Sequence, residues 1–204
     1  MSAAERRPIM LSAGEASGDL HGATMCRAIR DLDPSIRLVG MGGSRMAAAG
    51  VEILVDPTAQ AAVGTSEALN RVPALARAYK LLVRRLRETR PLAIVLIDFP
   101  EFNLRLARVA KRAGVPVLYY IGPQVWAWRR GRARSIARRA RRIITLFPFE
   151  AEIYRAFGAD ALCAGHPLVD DVAEGLAKSS PLPTKTRRRL LLLPGSRTAE
   201  LDRH

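Results

Sequence analysis

A chain of 204 residues, 49% of them hydrophobic, is long enough to bury one full α/β core with a remainder left over. Its 33 basic residues against 19 acidic leave a formal charge of +14, which favours an anionic partner such as a phosphate, a nucleic acid or an acidic lipid headgroup. Two distant cysteines, Cys26 and Cys163, exclude a disulfide framework and read as buried inert thiols of a reducing cytoplasm, while the absence of any apolar run near ~18 residues and the shortness of Pro8 to Ala13 leave only peripheral membrane association.

The first apolar run, Ile9 to Ala13, is short, flanked by Pro8 and Gly14, and reads as a buried strand followed by a helix over Leu20 to Leu32. Strands are then expected at Arg37 to Met41 and Val51 to Val55, a helix at Pro73 to Thr89, and a strand at Leu92 to Ile97. A helix at Asn103 to Ala113, a strand at Val115 to Ile121, a helix at Arg132 to Arg141, a strand at Ile143 to Phe147 and a helix at Glu150 to Phe157 complete the series. This alternation predicts the α/β class, with a Rossmann-like parallel sheet and helices on both faces. From Gly165 to Lys185 the pattern loosens around Pro167, Gly175, Ser179, Ser180, Pro181 and Pro183, as a linker does. Leu190 to Leu193 then reads as the first strand of a second domain. The expected organisation is one domain over 1–165, a linker over 166–187 and the opening of another domain over 188–204.

In a parallel sheet of this kind ligands sit outside the carboxyl ends of the strands, so the loops after the strands carry the candidates. Gly14-Glu15-Ala16-Ser17-Gly18-Asp19 is a polar turn where glycine permits positive φ and close ligand approach, although it is neither a dinucleotide fingerprint nor a P-loop. A tight turn capped by Ser17 or Asp19 fits it equally well. Asp98 closes the apolar run Ile94 to Ile97, where partial desolvation would raise its pKa and suit it to general-base work on a sugar hydroxyl. Bonding to the amides of the next turn is the open alternative, and Glu101 and Asn103 stand close by in sequence. Trp126 and Trp128, after Gln124, suit stacking on a sugar or an acyl chain, or core packing. His21 and His166 lack a partner at metal-ligand spacing, and no metal site is read.

Positions 105 to 142 hold twelve Arg or Lys and no acid, which suits phosphate or anionic lipid; the interleaved aromatics of a base-stacking platform are missing, so nucleic acid is not expected. Between Ala68 and Arg90 an apolar stripe including Leu75, Tyr79 and Leu82 runs beside Arg84 and Arg85. That arrangement fits either an interfacial helix facing a membrane or an ordinary helix packed on the sheet.

Six stretches resemble lipid-A-disaccharide synthase in the same order: Gly14 to Asp19, Asp98-x-Pro-x-Phe102-Asn103, Tyr120-x-x-Pro123-Gln124-Val125-Trp126-Ala127-Trp128, Pro148-Phe149-Glu150, Gly165-His166-Pro167-Leu168, and Leu193-Pro194-Gly195-Ser196-Arg197. The resemblance implies the N-terminal domain of a GT-B glycosyltransferase, peripheral on the cytoplasmic face of the inner membrane and bound to its anionic surface. It implies a metal-free and cofactor-free reaction joining UDP-2,3-diacylglucosamine to 2,3-diacylglucosamine 1-phosphate. It also implies that Asp98 is the base and that Arg197, with Gly195 and Ser196, meets the donor phosphates. Gly14, Glu15, Ser17, Gly18, Asp19, Asn103, Gln124, Trp126 and Trp128 are then the expected substrate contacts, and Leu75, Tyr79, Leu82, Arg84 and Arg85 the expected membrane-facing residues. The chain departs from the family at Gly122, where relatives usually carry Ser, and in length, since family members run well beyond it. As a front half it is expected to have little or no transferase activity by itself, and a non-catalytic lipid-binding module is the competing expectation.

Overall fold

The computed structural model describes residues 7–57, 67–125 and 130–178. The described strands are β1 (Ile9–Ala13), β2 (Leu38–Met41), β3 (Glu52–Val55), β4 (Ala93–Ile97), β5 (Val117–Tyr120), β6 (Arg142–Thr145) and β7 (Ala161–Cys163). They form one parallel sheet in the order β3-β2-β1-β4-β5-β6-β7. The helices are α1 (Ala16–Leu32), α2 (Ser44–Ala48), α3 (Glu67–Thr89), α4 (Pro100–Arg112), α5 (Arg130–Ala137), α6 (Pro148–Ala156) and α7 (Leu168–Lys178). The Rossmann-like α/β architecture is therefore as expected. From β1 the chain builds outward to β3, then returns to lay β4 on the other side of β1, so the direction of winding reverses between β1 and β4. That reversal opens a crevice beyond the carboxyl ends of these two strands.

Alternate residues of the central strands feed two cores, which is why the strands read as continuous apolar runs rather than alternating ones. Met10, Ile94 and Leu96 pack with Leu82, Leu86, Leu106, Ala110, Ile136 and Tyr154 on the α3–α6 side. Leu11, Ala13, Val95 and Ile97 pack with Ala23, Cys26 and Met46 under α1 and α2. Burial pushes the Cys26 thiol up to about 12, consistent with an inert core residue, whereas Cys163 is only half-buried and its Sγ donates to the Leu146 carbonyl.

The first core takes up part of the helix that could have faced a membrane. Leu82 is fully buried, with Ala78 and Leu86 on the same stripe, while Leu75 and Tyr79 are partly buried against that core. Tyr79 meets Phe102 edge to face at 5.8 Å. Ala78, Leu82 and Leu86 of the apolar stripe of α3 are spent on the core, with Val72 exposed at its start, and burying Leu82 alone is worth about 1.5–3 kcal/mol. Leu82 is thus a core residue and not a membrane-facing one. Arg84 and Arg85 stand on the outside, paired with Glu88 and Glu52.

Three elements were not anticipated. β7 is three residues long, α2 is five, and α7 occupies residues read as linker because Gly175 and the following Ser and Pro residues obscure its periodicity. α1 and α4 also begin earlier than expected, at Ala16 and Pro100, which draws Gly18 and Asp19 out of a loop and into α1 and sets Asn103, expected as the first residue of its helix, one turn into α4. The chain divides into compact units at Val169/Asp170, with the whole sheet in the first. Leu190 to Leu193, Gly195, Ser196 and Arg197 lie outside the described residues, as do Trp126 and Trp128.

Candidate functional site

At the carboxyl end of β4 the backbone enters an uncommon conformation. Asp98 and Phe99 both have positive φ, 45° and 47°, and Ile121 at the end of neighbouring β5 has φ 61°. Left-handed backbone costs a non-glycine residue roughly 1–2 kcal/mol, so the surroundings must hold it. Three of the four non-glycine positive-φ residues among those described fall on this short stretch of sheet edge; the other, Arg90, is elsewhere.

The Asp98 carboxyl is half-buried, and its pKa lies above the ordinary value of 3.8. Burial is the main cause; the negative charge of Glu15 adds to it, and a hydrogen bond from the Phe99 amide works in the opposite direction. Both sequence readings of Asp98 are thus partly realised: the group is desolvated, and it also accepts from the following turn. A carboxylate with a raised pKa is a stronger base towards a hydroxyl than an ordinary one.

Asp98 opens on a cleft of about 470 Å³ lined also by Glu101, Ile121, Gly122, Gln124 and Arg132, a volume suited to a small ligand. Gln124 is exposed on its wall. Arg132 is fixed by Glu101 at 2.7 Å, a contact that joins the first turns of α4 and α5. The adjoining turn is anchored by Tyr154, whose buried hydroxyl donates to the Pro123 carbonyl at 2.7 Å. Gly122 is buried there, and an added Cβ would come within 3.0 Å of Ile143 Cγ2 and 3.2 Å of Tyr154 Cε2. The position is packed tightly against the Tyr154 ring.

The β1–α1 turn approaches the same crevice from the other side of the reversal. Neither Gly14 nor Gly18 has positive φ, so the physical reason for glycine at these positions is space and not dihedral freedom. A Cβ on Gly18 would lie 3.4 Å from Ala13 Cβ, which lets α1 sit close over β1. At Gly14 the occupying group is the Phe99 ring. Glu15 and Ser17 are exposed at the start of α1 and free to meet a ligand, whereas Asp19 is buried. Its carboxylate accepts from the amides of Gly43, Arg45 and Met46 at 2.8, 3.1 and 3.0 Å. Asp19 therefore caps α2 from α1, a third role beside the two that the sequence suggested. Asn103 is fully buried as well, its amide engaged with Ser12, Ile97 and Asp98.

Sequence reasoning gave no signal for Ser12, Tyr119 or Tyr154, each of which is embedded in an apolar run or helix. It also treated His21 and His166 as isolated, but their rings meet edge to face at 5.8 Å. Among the described residues, the basic positions between 105 and 142 do not form one face either. α5 carries Arg132 at the cleft and leads to Arg138 and Arg139 at the opposite edge, before β6 begins. There Lys111 Nζ donates to the Arg138 carbonyl.

Residues 9–204 match the family described as lipid-A-disaccharide synthetase. Similar curated proteins include the lipid-A-disaccharide synthases of Geobacter metallireducens, 44% identical over 100% of this chain and 54% of that protein, and of Syntrophotalea carbinolica, 48% identical over 96% and 51%. The chain thus spans about half the length of the curated relatives it matches. Among solved structures, UDP-N-acetylglucosamine 2-epimerase from Rickettsia bellii aligns with a TM-score of 0.56 at 14% identity, covering 86% of this chain and 50% of that one. UDP-GlcNAc 2-epimerase from Neisseria meningitidis aligns with a TM-score of 0.53 at 9% identity, covering 84% and 48%. At such identities the likeness is one of fold.

Proposed function

Given that the chain belongs to the lipid-A-disaccharide synthetase family, a family of glycosyltransferases in lipid A biosynthesis, we propose that the β1/β4 crevice is the acceptor side of the transfer site. The acceptor is 2,3-diacylglucosamine 1-phosphate and the donor UDP-2,3-diacylglucosamine. Asp98 takes the proton from the acceptor 6-hydroxyl as that oxygen bonds to the anomeric carbon of the donor. The bond from that carbon to the UDP oxygen breaks, and UDP leaves with the electron pair. In this reading the exposed Glu15, Ser17 and Gln124 meet sugar hydroxyls, with Trp126 and Trp128 following Gln124 in sequence. Gly14 and Gly18 let the turn come close, and Asp19 and Asn103 support the walls from behind. Gly195, Ser196 and Arg197 belong to the donor phosphates in this reading.

The observation that carries the reading is the half-buried, elevated-pKa carboxyl of Asp98 opening on a cleft at the winding reversal. Mapping acceptor binding by NMR tests it. Chemical-shift changes are expected at Asp98, Gln124 and Arg132, and changes confined to the opposite sheet edge would overturn it. The 204 residues by themselves are expected to bind acceptor and turn over little or nothing; vigorous transfer would overturn that division of labour.

No described helix is long and apolar enough to cross a membrane. We read the chain as peripheral on the inner membrane, held by its net positive charge at an anionic surface. Binding to anionic vesicles should weaken as salt is raised. Indifference to salt, or no binding at low salt, would remove the electrostatic part of this reading.

A further inference from the structure

We propose that Asn103 and Tyr119 are positioning residues for Asp98, forming a buried clamp on main-chain carbonyls that holds the left-handed Asp98–Phe99 turn and so aims the carboxyl at the cleft. The proposal rests on the reading of Asp98 as proton acceptor, and it extends that reading to residues which never touch substrate.

Asn103 is fully buried on α4, where it cannot meet a sugar. Its Nδ2 donates to the carbonyls of Ser12, Ile97 and Asp98 at 3.2, 3.2 and 2.8 Å. Its Oδ1 accepts from Ser12 Oγ at 2.6 Å. One side-chain amide therefore stitches the end of β1 to the end of β4 across the winding reversal. The Asp98 carbonyl accepts a second hydrogen bond from Tyr119 Oη at 3.0 Å, so both of its lone pairs are engaged. The Asp98 amide in turn donates to the Tyr120 carbonyl at 3.3 Å. Both backbone polar groups of Asp98 are tied down, and the residue lines the cleft.

This arrangement accounts for the strain. Two consecutive positive-φ residues that are not glycine disfavour the turn, and a turn held only by its own sequence would relax. Tyr119 remains a donor at any working pH, because burial first, and then the negative charges of Asp98 and neighbouring groups, push its phenol well above 10. A backbone shift of ~1 Å at the base can cost on the order of 100-fold in rate, which gives the clamp a mechanistic purpose beyond stability.

The test uses three variants of the full 204-residue chain. Tyr119→Phe removes one bond to the Asp98 carbonyl, Ser12→Ala loosens Asn103 without touching Asp98, and Ile136→Val is a core control. The carboxyl of Asp98 is titrated by carbon NMR, and amide exchange is followed at Phe99. In the wild type the titration midpoint is expected above 3.8. Both clamp variants should lower it and raise Phe99 exchange about tenfold or more, while the control, though it lowers the melting temperature, leaves both unchanged. Unchanged titration and exchange in both clamp variants, or equal shifts in the control, overturn the proposal. Acceptor binding in the same samples separates the two ideas. Its failure in the wild type removes the transferase reading, while the titration still decides the clamp.

Discussion

A Cβ placed on Gly14 would lie 2.1 Å from Cδ1 of Phe99, with Cγ at 2.4 Å. The two residues follow the ends of β1 and β4, so the aromatic ring takes its place there only because position 14 has no side chain. Gly14→Ala must either expel the ring or move the strand end. Overpacking of this kind costs about 1–3 kcal/mol. Since Phe99 follows Asp98 in the same left-handed turn, the variant should lose acceptor binding as well as stability. Urea unfolding with a midpoint equal to the wild type, together with intact binding, would show that the ring is free to move.

Asp19 should prove structural first. Three amides of the β2–α2 turn converge on its carboxylate, and removing the acceptor leaves donors of which Gly43 and Met46 are buried. Asp19→Ala is expected to destabilise by about 2 kcal/mol or more, the upper end for loss of a helix cap. Asp19→Asn should retain part of this, having one acceptor oxygen in place of two. Equal melting temperatures for Ala and Asn variants would indicate that the cap contributes little.

The sheet was legible because its strands are apolar, β-branched and separated by glycine, proline or charge, which is a local signal. Its reversal between β1 and β4 was not, since strand order depends on pairings between residues such as Leu11 and Val95 that no local pattern records. The site was legible in the same uneven way. Asp98 stood out as a charge ending an apolar run, but Tyr119 and Ser12 resembled ordinary strand residues until the fold brought them to Asp98 and Asn103. Asp19 read as a ligand group because polarity beside glycine in a loop suggests exposure, and Asn103 because it follows closely on Asp98 at the carboxyl end of a strand. Early helix starts put both inside, where their polar atoms serve the backbone.

Helix ends offer a test free of packing. α4 and α6 each finish in a Schellman arrangement: Gly114 donates to Lys111 and Val115 to Ala110, while Gly158 donates to Arg155 and Ala159 to Tyr154. Gly114 and Gly158 have φ of 70° and 78°, and nothing lies within 4 Å of an added Cβ at either. Gly158→Ala therefore meets only the left-handed penalty, about 1–2 kcal/mol. Thermal unfolding should show similar losses for Gly114→Ala and Gly158→Ala, adding when combined because the helices end at separate places. A neutral outcome at both would mean that the termini rearrange.

Asp98→Asn should separate stability from function. The folded-state pKa of Asp98 lies above its ordinary value of 3.8, chiefly through burial, so folding favours the protonated form. Its stabilising contribution is fully present below 3.8 and is lost as pH rises through the folded value, beyond which the protein carries an ionised and desolvated carboxylate. Asparagine cannot ionise, is tolerated in left-handed backbone, and presents an amide of nearly the same shape. The variant should therefore gain stability relative to the wild type as pH increases across that window, and hold the gain near neutrality. As the proposed base it should at the same time lose roughly 100-fold or more in any transfer that the site supports. Melting curves of both proteins at acid and neutral pH decide the matter. A stability difference that does not change with pH would mean that the Asp98 carboxylate is as well stabilised by the fold as by water, and one that grows in the wild type's favour that it is better stabilised by the fold.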